Sequence, residues 1–369
     1  MNQKPALRIV GVDPELAFAG GESQVLGLTR ELIRQGACAD LLCDPDGELW
    51  DRAQAAGVRC FPMRIRNALD IAAGIRLRRF LRATPYDVVH FHTARAHALA
   101  PWARRCGPAT IVTRRMDYRP NRLFAPWLFH RAVDRVVAIS SAVAEAMVGS
   151  GVDRARIKII PSGVDTDRFR PPSDGEREKA RAAWGIGPQS IAIGAVGQLT
   201  ERKGHRHLIE AIYELRDSLS HPIRCVIAGA GPLADNLKAQ SAALGLENVV
   251  TIAGPMLDPL ALFWALDVFA MPSLREGLGV ALLEAMACGL ACVASRSGGI
   301  AEAIEDGRSG LLAQPASAPE LAGQLRRLIN EPQVRSQIGA QARMRAVNRF
   351  SLKAMAQSIM ELYRASLSG

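Results

Sequence analysis

The 369-residue chain lacks the features that mark several large protein classes. No apolar run approaches the roughly 20 residues that a membrane-spanning helix needs. The first residues, MNQKPALRIVGVD, have no long apolar core like that of a signal peptide, so nothing in them suggests export. Aromatic residues make up only 5% of the chain and no stacking motif interleaves the basic clusters, which disfavours nucleic-acid binding.

The sequence also has no CxxC pair among its seven cysteines, and their spacing is not that of metal ligands. An odd number of cysteines scattered through apolar segments is typical of reduced, buried thiols, which predicts a cytoplasmic protein. GxGxxG, the fingerprint of dinucleotide-binding redox folds, is absent as well. A redox enzyme is therefore the least favoured enzyme class.

The chain does have an excess of basic residues, with a net charge of +10. Residues 1–165 carry 24 Lys and Arg against 16 Asp and Glu, a balance of +8, whereas the remainder carries 22 against 20. Arginines crowd residues 64–82 and 113–122. A single surface arginine serves solubility, but clusters of this kind equally favour an anionic partner such as a membrane surface or a phosphorylated substrate.

Short apolar runs alternate with helical patterns, which predicts parallel sheets with helices on both faces. The runs that we interpret as strands lie at 7–12, 39–43, 87–91, 110–113 and 135–140, and then at 190–197, 223–229, 248–254, 267–273 and 291–295. Between the two groups, IIPSGVDTDRFRPPSDGE holds three prolines and two glycines, as linkers do. We therefore predict two similar α/β domains at 1–165 and 190–347, a linker at 166–189 and a helical tail at 348–369.

Ligands of doubly wound sheets bind at the carboxyl ends of strands, so the loops after the strands are candidate sites. In FAGGES, Gly20 and Gly21 bring backbone N–H groups to a helix N-terminus, which favours an anion, although glycines also simply form turns. In VGQLTERKGHRHL, Arg202 and Lys203 precede Gly204 and the next helix. Cations are unfavourable there unless they face an anion, which favours a diphosphate site over a solvated helix start.

A third loop, EGLGVALLE, places two carboxylates eight positions apart. Gly277 and Gly279 leave the backbone N–H groups at the start of a helix open to a sugar or phosphate. Glu276 precedes that helix and can accept hydrogen bonds from ligand hydroxyls. Glu284 lies about two turns further on, where a carboxylate can accept both hydroxyls of a ribose. The stretch therefore predicts a site for a nucleotide that carries a sugar.

EGLGVALLE resembles the E-x7-E motif of family 4 of the retaining GT-B glycosyltransferases. The resemblance covers nearly the whole chain, because further segments follow in the family's order: AGGES, DVVHFH, AISSAVAEAM, IKIIPSGVDTDRF, VGQLTERKG, AGAGP, VVTIAG and SRSGGIAE. It implies the GT-B fold, in which two Rossmann-like doubly wound domains face each other across a cleft. It also implies that the C-terminal helix packs back toward the first domain.

The resemblance implies roles for the residues of these loops. Glu276 binds hydroxyls of the donor sugar, the backbone of Gly277, Leu278 and Gly279 lies beside that sugar, and Glu284 binds the ribose of the nucleotide.

Further roles follow from the other matching segments. Arg202 and Lys203 hold the diphosphate, and His92 lies near the reacting sugar. Gln198 stands where the family often has arginine, which leaves Arg202 and Lys203 as the main cations for the leaving group. The glycines placed against the ligand are Gly20 and Gly21, near the phosphates and acceptor, and Gly231 and Gly254, near the base.

The histidines need separate interpretation. His90 and His92 are two residues apart, so on a strand they face the same side, where a metal pair is conceivable. No third ligand is evident nearby in the sequence, and the resemblance implies no obligatory metal or other cofactor. His92, at the end of a strand, is the better functional candidate, and His90 is structural. Three more are expected at the surface: His97, His205 and His207.

The function that the resemblance implies is transfer of a hexose from a nucleotide sugar to a hydroxyl of a glycan or lipid-linked acceptor, with retention of configuration (EC 2.4). A leaving-phosphate oxygen would act as the base. The family and the basic first domain suggest cell-envelope glycans such as lipopolysaccharide, capsule or glycolipid. The alternatives are a nucleotide-sugar epimerase of the same fold and a non-catalytic nucleotide-sugar-binding protein.

One predicted helix could also bind a membrane. Its arginines are Arg76, Arg78, Arg79 and Arg82, and the apolar residues beside them are Leu77, Phe80 and Leu81. We hypothesise that these apolar side chains enter the surface of an anionic bilayer, at the inner face of the cytoplasmic membrane. The alternative is that they pack in the core while the arginines are merely solvated.

Overall fold

The protein is described by a computed structural model that covers residues 6–119, 125–216, 221–256 and 258–367. The chain forms two compact units, one of residues 1–163 with 352–369 and the other of residues 164–351. Each unit is built on one parallel sheet with helices, which confirms the predicted α/β class with two doubly wound domains.

The first unit contains a seven-stranded sheet. Its strands are β1 (Arg8–Asp13), β2 (Cys38–Cys43), β3 (Cys60–Pro62), β4 (Val88–Phe91), β5 (Ala109–Arg114), β6 (Arg135–Ala138) and β7 (Ile157–Ile159). They run parallel in the order β3-β2-β1-β4-β5-β6-β7. The central strands are apolar and buried on both faces, as in sheets covered by helices on each side.

The helices that cover this sheet come from the two parts of the chain that precede and follow the second unit. They are α1 (Gly20–Arg34), α2 (Glu48–Ala55), α3 (Ile71–Ala83), α4 (Ala94–His97), α5 (Ala100–Arg104), α6 (Ala125–Arg131), α7 (Ser141–Val148) and α16 (Leu352–Leu367). Helix α16 belongs to the core of this unit, because Met355, Ile359 and Tyr363 pack in one apolar cluster with Ile9 and Val88.

The second unit contains a six-stranded parallel sheet in the order β10-β9-β8-β11-β12-β13. These strands are β8 (Ile191–Val196), β9 (Ile223–Ala228), β10 (Val250–Ile252), β11 (Val268–Met271), β12 (Ala291–Ser295) and β13 (Leu311–Ala313). The helices are α8 (Asp174–Ala183), α9 (His205–Leu215), α10 (Ala234–Ala243), α11 (Leu260–Ala265), α12 (Val280–Ala287), α13 (Ile300–Ala303), α14 (Ala318–Asn330) and α15 (Pro332–Arg349). A 3₁₀ turn, Glu201–Lys203, follows β8.

All ten predicted strands are present, with bounds shifted by a few residues. Three strands were not predicted, β3, β7 and β13, and each is three residues long. The segment 166–189, predicted to be a linker, contains α8, which begins with a capping box between Ser173 and Glu176 and is part of the second unit. The predicted helical tail at 348–369 contains α16, which Phe350 and Ser351 separate from the end of α15.

Strand order reverses at one point in each sheet, between β1 and β4 and between β8 and β11. In open α/β sheets ligands bind in the crevice at such a switch point, beyond the carboxyl ends of the strands. The two switch points are therefore where functional side chains should gather. Among the described residues, no helix is both long and apolar enough to cross a membrane.

Candidate active site

In the first unit, four charged or titratable side chains meet at the switch point; we call them the first-sheet cluster. Asp13 ends β1, His92 follows β4, Arg115 follows β5, and Glu22 lies in the first turn of α1. Parallel strands end at the same edge, so three strands and the start of one helix deliver these groups to one place. Only His92 was among the predicted site residues.

The imidazole of His92 is buried, and its Nδ1 atom lies 3.5 Å from a terminal nitrogen of Arg115. Burial lowers the pKa of His92 well below its usual range, and the neighbouring His90 and Arg115 lower it further. His92 is therefore a neutral imidazole at physiological pH. This suits a hydrogen-bonding role toward a ligand better than a positively charged one.

His90 faces the same side as His92, with ring centroids 4.1 Å apart, as the two-residue spacing predicts. Its Nδ1 lies 2.6 Å from the Tyr363 hydroxyl and its Nε2 lies 2.7 Å from the Thr113 hydroxyl. Both nitrogens are thus occupied within the fold, which makes His90 structural. No group of three or more potential metal-ligating side chains occurs within the described ranges.

The surface positions expected for three other histidines are wrong, because all three side chains are buried. His97 lies with Nε2 3.1 Å from the Thr113 carbonyl oxygen, and burial lowers its pKa to about 3. His207 pairs with Glu210 at 2.9 Å. Burial lowers the pKa of His205 to about 4, and neither of its ring nitrogens has a partner in the part of the chain that the structure describes.

Asp13 is the most unusual carboxyl group of the first unit, because it is 1% exposed. One oxygen accepts a hydrogen bond from the Glu15 backbone N–H at 3.1 Å, while the other has no partner among the described residues. Burial raises its pKa to about 7, and the charge of Glu22 adds to the effect, whereas Arg115 opposes it. Asp13 is therefore partly protonated near neutral pH.

Gly20 and Gly21 are the first two residues of α1, so their N–H groups belong to the helix terminus as predicted. Neither needs an unusual backbone conformation, and a Cβ built on Gly21 would lie 4.0 Å from the Arg115 side chain. Glu22 completes this terminus by accepting a hydrogen bond from the Ala19 N–H at 2.8 Å. The loop thus lies beside the first-sheet cluster.

In the second unit the structure brings Arg202 and Lys203 against Glu276, which lies more than 70 residues later in the sequence. The Lys203 ammonium pairs with one oxygen of Glu276, and Arg202 lies 3.4 Å from the other. The cations therefore do face an anion, which is Glu276. This pairing spans the switch point, because the cations follow β8 and the carboxylate follows β11.

Two backbone contacts fix these loops against each other. Gly204 has a φ of +63°, and a Cβ there would come within 2.1 Å of the Pro272 carbonyl oxygen, so only glycine fits. The Leu274 N–H donates to the Arg202 carbonyl at 2.8 Å. Lys203 and Glu276 are thus held at contact distance by main chain rather than by side chains alone.

The glycine-rich approach to α12 is equally constrained. Gly279 has a φ of +86° directly before the helix, and a Cβ there would lie 2.8 Å from the Met271 sulfur. The side chain of Leu278 is buried and anchors the loop directly after Glu276 and Gly277. The backbone of Glu276 is held by Gly299, whose N–H donates to the Glu276 carbonyl at 3.0 Å.

Glu284 lies in the second turn of α12 and is half-buried. Burial raises its pKa to about 8, and the charge of Arg168 opposes the shift. Arg168 itself pairs with Asp258 at 2.8 Å. Because the residue is only half-buried, a ligand hydroxyl can reach its carboxyl group.

The remaining predicted residues lie in loops joined to the Lys203 loop. The Leu199 N–H donates to the Ala230 carbonyl at 2.9 Å, and a Cβ on Gly231 would come within 2.4 Å of the Leu199 carbonyl oxygen. Gly254, with a φ of +76°, accepts from the Gly229 N–H at 2.7 Å. Gln198 is exposed. Whether these residues line a base pocket stays a prediction.

The helix proposed to enter a membrane is α3, and its predicted apolar residues are not available. Leu77 and Leu81 are buried in the first unit, and Phe80 packs against Phe61 and Tyr86 with ring centroids 4.9 and 5.7 Å apart. Packing in the core, the alternative interpretation, is therefore correct for Leu77 and Leu81, while Phe80 is half-buried against the two aromatic rings.

The cysteines follow the prediction only in part. All seven are free thiols, and four are buried: Cys43, Cys225, Cys288 and Cys292. Cys38 is exposed, whereas Cys60 and Cys106 are half-buried.

Comparison with known proteins agrees with the fold. A glycosyltransferase from Rickettsia africae superposes with a TM-score of 0.89 at 21% identity, over 99% of this chain and all of that one. Anabaena HepE, in a complex with UDP and glucose, superposes with a TM-score of 0.86 at 22% identity, over 97% of this chain and all of that one. At these identities the likeness establishes the fold alone.

Curated relatives are more similar in sequence. The D-inositol 3-phosphate glycosyltransferase of Corynebacterium jeikeium is 32% identical over 62% of this chain, a match that spans only 56% of that protein. The GDP-mannose-dependent alpha-(1-6)-phosphatidylinositol monomannoside mannosyltransferase of Mycolicibacterium smegmatis is 29% identical over 78% of each chain. Residues 18–168 match the family described as Glycosyltransferase Family 4, and residues 176–345 match Glycosyl transferases group 1. These two matches follow one another along most of the chain, which therefore belongs to the GT-B glycosyltransferases.

Proposed function

We propose that this protein transfers a hexose from a nucleotide-sugar donor to a hydroxyl group with retention of configuration. The observation that carries the proposal is the pairing of Lys203 and Arg202 with Glu276 beside the glycine-rich start of α12. A nucleotide sugar has a group for each kind of side chain here. Its anionic diphosphate suits the two cations, and its sugar hydroxyls suit the carboxylate.

In the free protein, Glu276 neutralises Lys203. A donor that binds there places its diphosphate against the cations and its sugar hydroxyls against Glu276, so each side chain exchanges one partner for another. Fixed cations then stabilise the charge that develops on the leaving diphosphate without moving during the reaction. We propose on this ground that no metal ion is required, and that a leaving-phosphate oxygen takes the proton of the acceptor.

The donor and acceptor are proposed from relatives. The HepE structure holds UDP, and the mycolicibacterial relative is named for GDP-mannose, so UDP-hexoses and GDP-hexoses are the first donors to test. Both curated relatives are named for acceptors that contain inositol phosphate. We propose a phosphorylated or lipid-linked glycan acceptor used in cell-envelope synthesis in the cytoplasm.

A thermal-shift screen of nucleotide sugars, followed by incubation with candidate acceptors, tests the proposal. The expected product has the anomeric configuration of the donor, read from the one-bond carbon–proton coupling constant of the anomeric carbon. Glu276→Ala should abolish product formation, while Asp235→Asn at an exposed position should not. An inverted product, or an epimer formed from donor alone, would replace the proposal by an inverting transferase or an epimerase.

We also propose that the first unit binds anionic membranes reversibly, through a different face of α3 from the one predicted. Leu69, Ile71 and Ile75 are 87%, 64% and 41% exposed; Leu69 precedes the helix, and Ile71 and Ile75 lie one turn apart on it. We call these residues, with the exposed Arg76, Arg79 and Arg82, the α3 surface. Apolar side chains ringed by arginines suit a bilayer with anionic lipids, where each arginine contributes about 1 kcal/mol.

Co-sedimentation with phosphatidylglycerol vesicles and neutral phosphatidylcholine vesicles, at low and high salt, tests this surface. Ile71→Ser/Ile75→Ser and Arg79→Gln/Arg82→Gln should each weaken binding to anionic vesicles several-fold, and salt should affect only the arginine contribution. Met344→Ser, at an exposed apolar position of the second unit, serves as the control. Undiminished binding by both double variants would remove the α3 surface from the proposal.

A further inference from the structure

Arg115 has no assigned role, yet it is the cation of the first-sheet cluster. It follows β5 directly, and its terminal nitrogen contacts His92 while its buried Nε has no partner in the described ranges. Burial lowers the pKa of Arg115 to about 10, and the charges of Asp13 and Glu22 oppose that shift. Arg115 therefore remains a cation at neutral pH.

The contact with Arg115 decides which nitrogen of His92 carries the proton. A guanidinium group has only donors, so the Nδ1 atom that faces it must be the acceptor. In a neutral imidazole the proton then sits on Nε2. Within the described part of the chain Nε2 has no hydrogen-bond partner, so its N–H is free to donate to a ligand.

The ring of His92 is also confined from its sides. A Cβ on Gly11 of β1 would lie 3.4 Å from His92 Nε2, so the glycine leaves room for the imidazole beside the strand. On another side lies the ring of His90, which Tyr363 and Thr113 hold in place. With the ring confined, the Arg115 contact selects the tautomer as well as the orientation.

We propose that Arg115 is a positioning residue that holds His92 as the neutral Nε2–H tautomer, so that His92 donates a hydrogen bond to a ligand oxygen. The charges of Glu22 and of ionised Asp13 favour the charged guanidinium in its partly buried position. In this arrangement His92 is neither the base that deprotonates the acceptor nor a metal ligand through Nδ1. The assignment of the ligand as a sugar rests on the proposed function, whereas the tautomer does not.

The tautomer can be measured directly on the full chain without substrate. Two-bond proton–nitrogen correlation spectra of protein labelled with ¹⁵N-histidine distinguish protonated from unprotonated ring nitrogens, and His92→Gln assigns the signals. We expect unprotonated Nδ1 and protonated Nε2 for His92 from pH 6 to 8. A protonated Nδ1 in the wild type would overturn the proposal, whatever the variants do.

Three variants then test Arg115. Arg115→Met removes the donors while keeping an extended side chain, and we expect His92 to lose its single tautomer and kcat to fall at least tenfold. Arg115→Lys, which retains a donor, should restore the tautomer and part of kcat. Arg119→Met, at an exposed arginine of the same segment, should change neither.

The signals of His90 and His97 report whether the fold survives each substitution. An unchanged His92 tautomer in a folded Arg115→Met variant would refute the role of Arg115. If Arg115→Met fails to fold, Arg115→Lys decides, since loss of the tautomer there would also refute it. A correct tautomer in a protein without transferase activity would instead refute the proposed function alone.

Discussion

Replacing Asp13 by asparagine should change how the stability of the first unit depends on pH. The folded protein holds this carboxyl with a pKa of about 7, against an ordinary value of 3.8. Between these two values the folded state keeps a proton that the unfolded chain releases. The free energy of unfolding therefore falls as pH rises through this window, and it becomes level above pH 7 to 8. Asparagine has no such proton.

The size of the effect follows from the shift. One pKa unit corresponds to about 1.4 kcal/mol, so the two units between pH 5 and 7, with the levelling to pH 8, amount to about 2.5 kcal/mol. We expect the free energy of unfolding of Asp13→Asn, relative to that of the wild type, to rise by this amount between pH 5 and pH 8. Because Asn resembles the protonated carboxyl in shape, the two proteins should be most alike in packing at pH 5.

Hydrogen exchange of peptides from β1 and β4, followed by mass spectrometry at graded urea concentrations, reports opening of the first unit separately from the second. Asp46→Asn makes the same charge change at a side chain that is 69% exposed, and should show no such gain. Parallel pH profiles for wild type and Asp13→Asn would refute the inference that this buried carboxyl is protonated in the folded protein.

Three further predictions concern the second unit. Glu284→Ala should weaken binding of a nucleoside diphosphate, measured by calorimetry. Glu276→Ala should retain that binding, because loss of Glu276 frees Lys203 for the diphosphate. Equal losses of affinity in the two variants would contradict this division of roles. Lys203→Ala should lower kcat by roughly a hundredfold, as removal of one strong electrostatic stabiliser does, and Arg202→Ala, whose contact with Glu276 is longer, should lower it less; near-normal turnover in the double variant would exclude this diphosphate site. Treatment with EDTA followed by gel filtration should leave kcat unchanged, and recovery of lost activity on adding Mg²⁺ or Mn²⁺ would show that the cations do not suffice.

Much of the fold could be predicted from the sequence because the longer strands are apolar and lie between turn residues. The strands that escaped are β3, β7 and β13, which are too short for a pattern of two or more alternations to stand out. Helix α8 escaped because its sequence, DGEREKARAA, has a single fully buried residue, Ala180, and follows prolines that are typical of a linker.

The candidate site was predictable where a loop combined glycine with charge, as around Lys203 and Glu276. Asp13 and Arg115 were missed, although the rule that singled out His92 also applies to them, since both stand at the carboxyl end of a strand. Arg115 sits in a run of arginines for which the sequence favours a solubilising surface or an anionic partner, not a buried position in the fold. Only the packing of three strand ends reveals that two arginines of that run, Arg114 and Arg115, turn inward, and no local pattern encodes it.

The position of α16 has a consequence for how the chain is made. This helix supplies core residues to a unit whose other members end at residue 163, after the whole second unit has been synthesised. During translation the first sheet emerges with the apolar side chains that face α16 still uncovered. In most multidomain proteins, by contrast, the N-terminal domain can fold before the next one is made. A chain truncated after residue 351 would therefore contain every residue of the second unit but lack the helix that completes the first, the reverse of their order of synthesis.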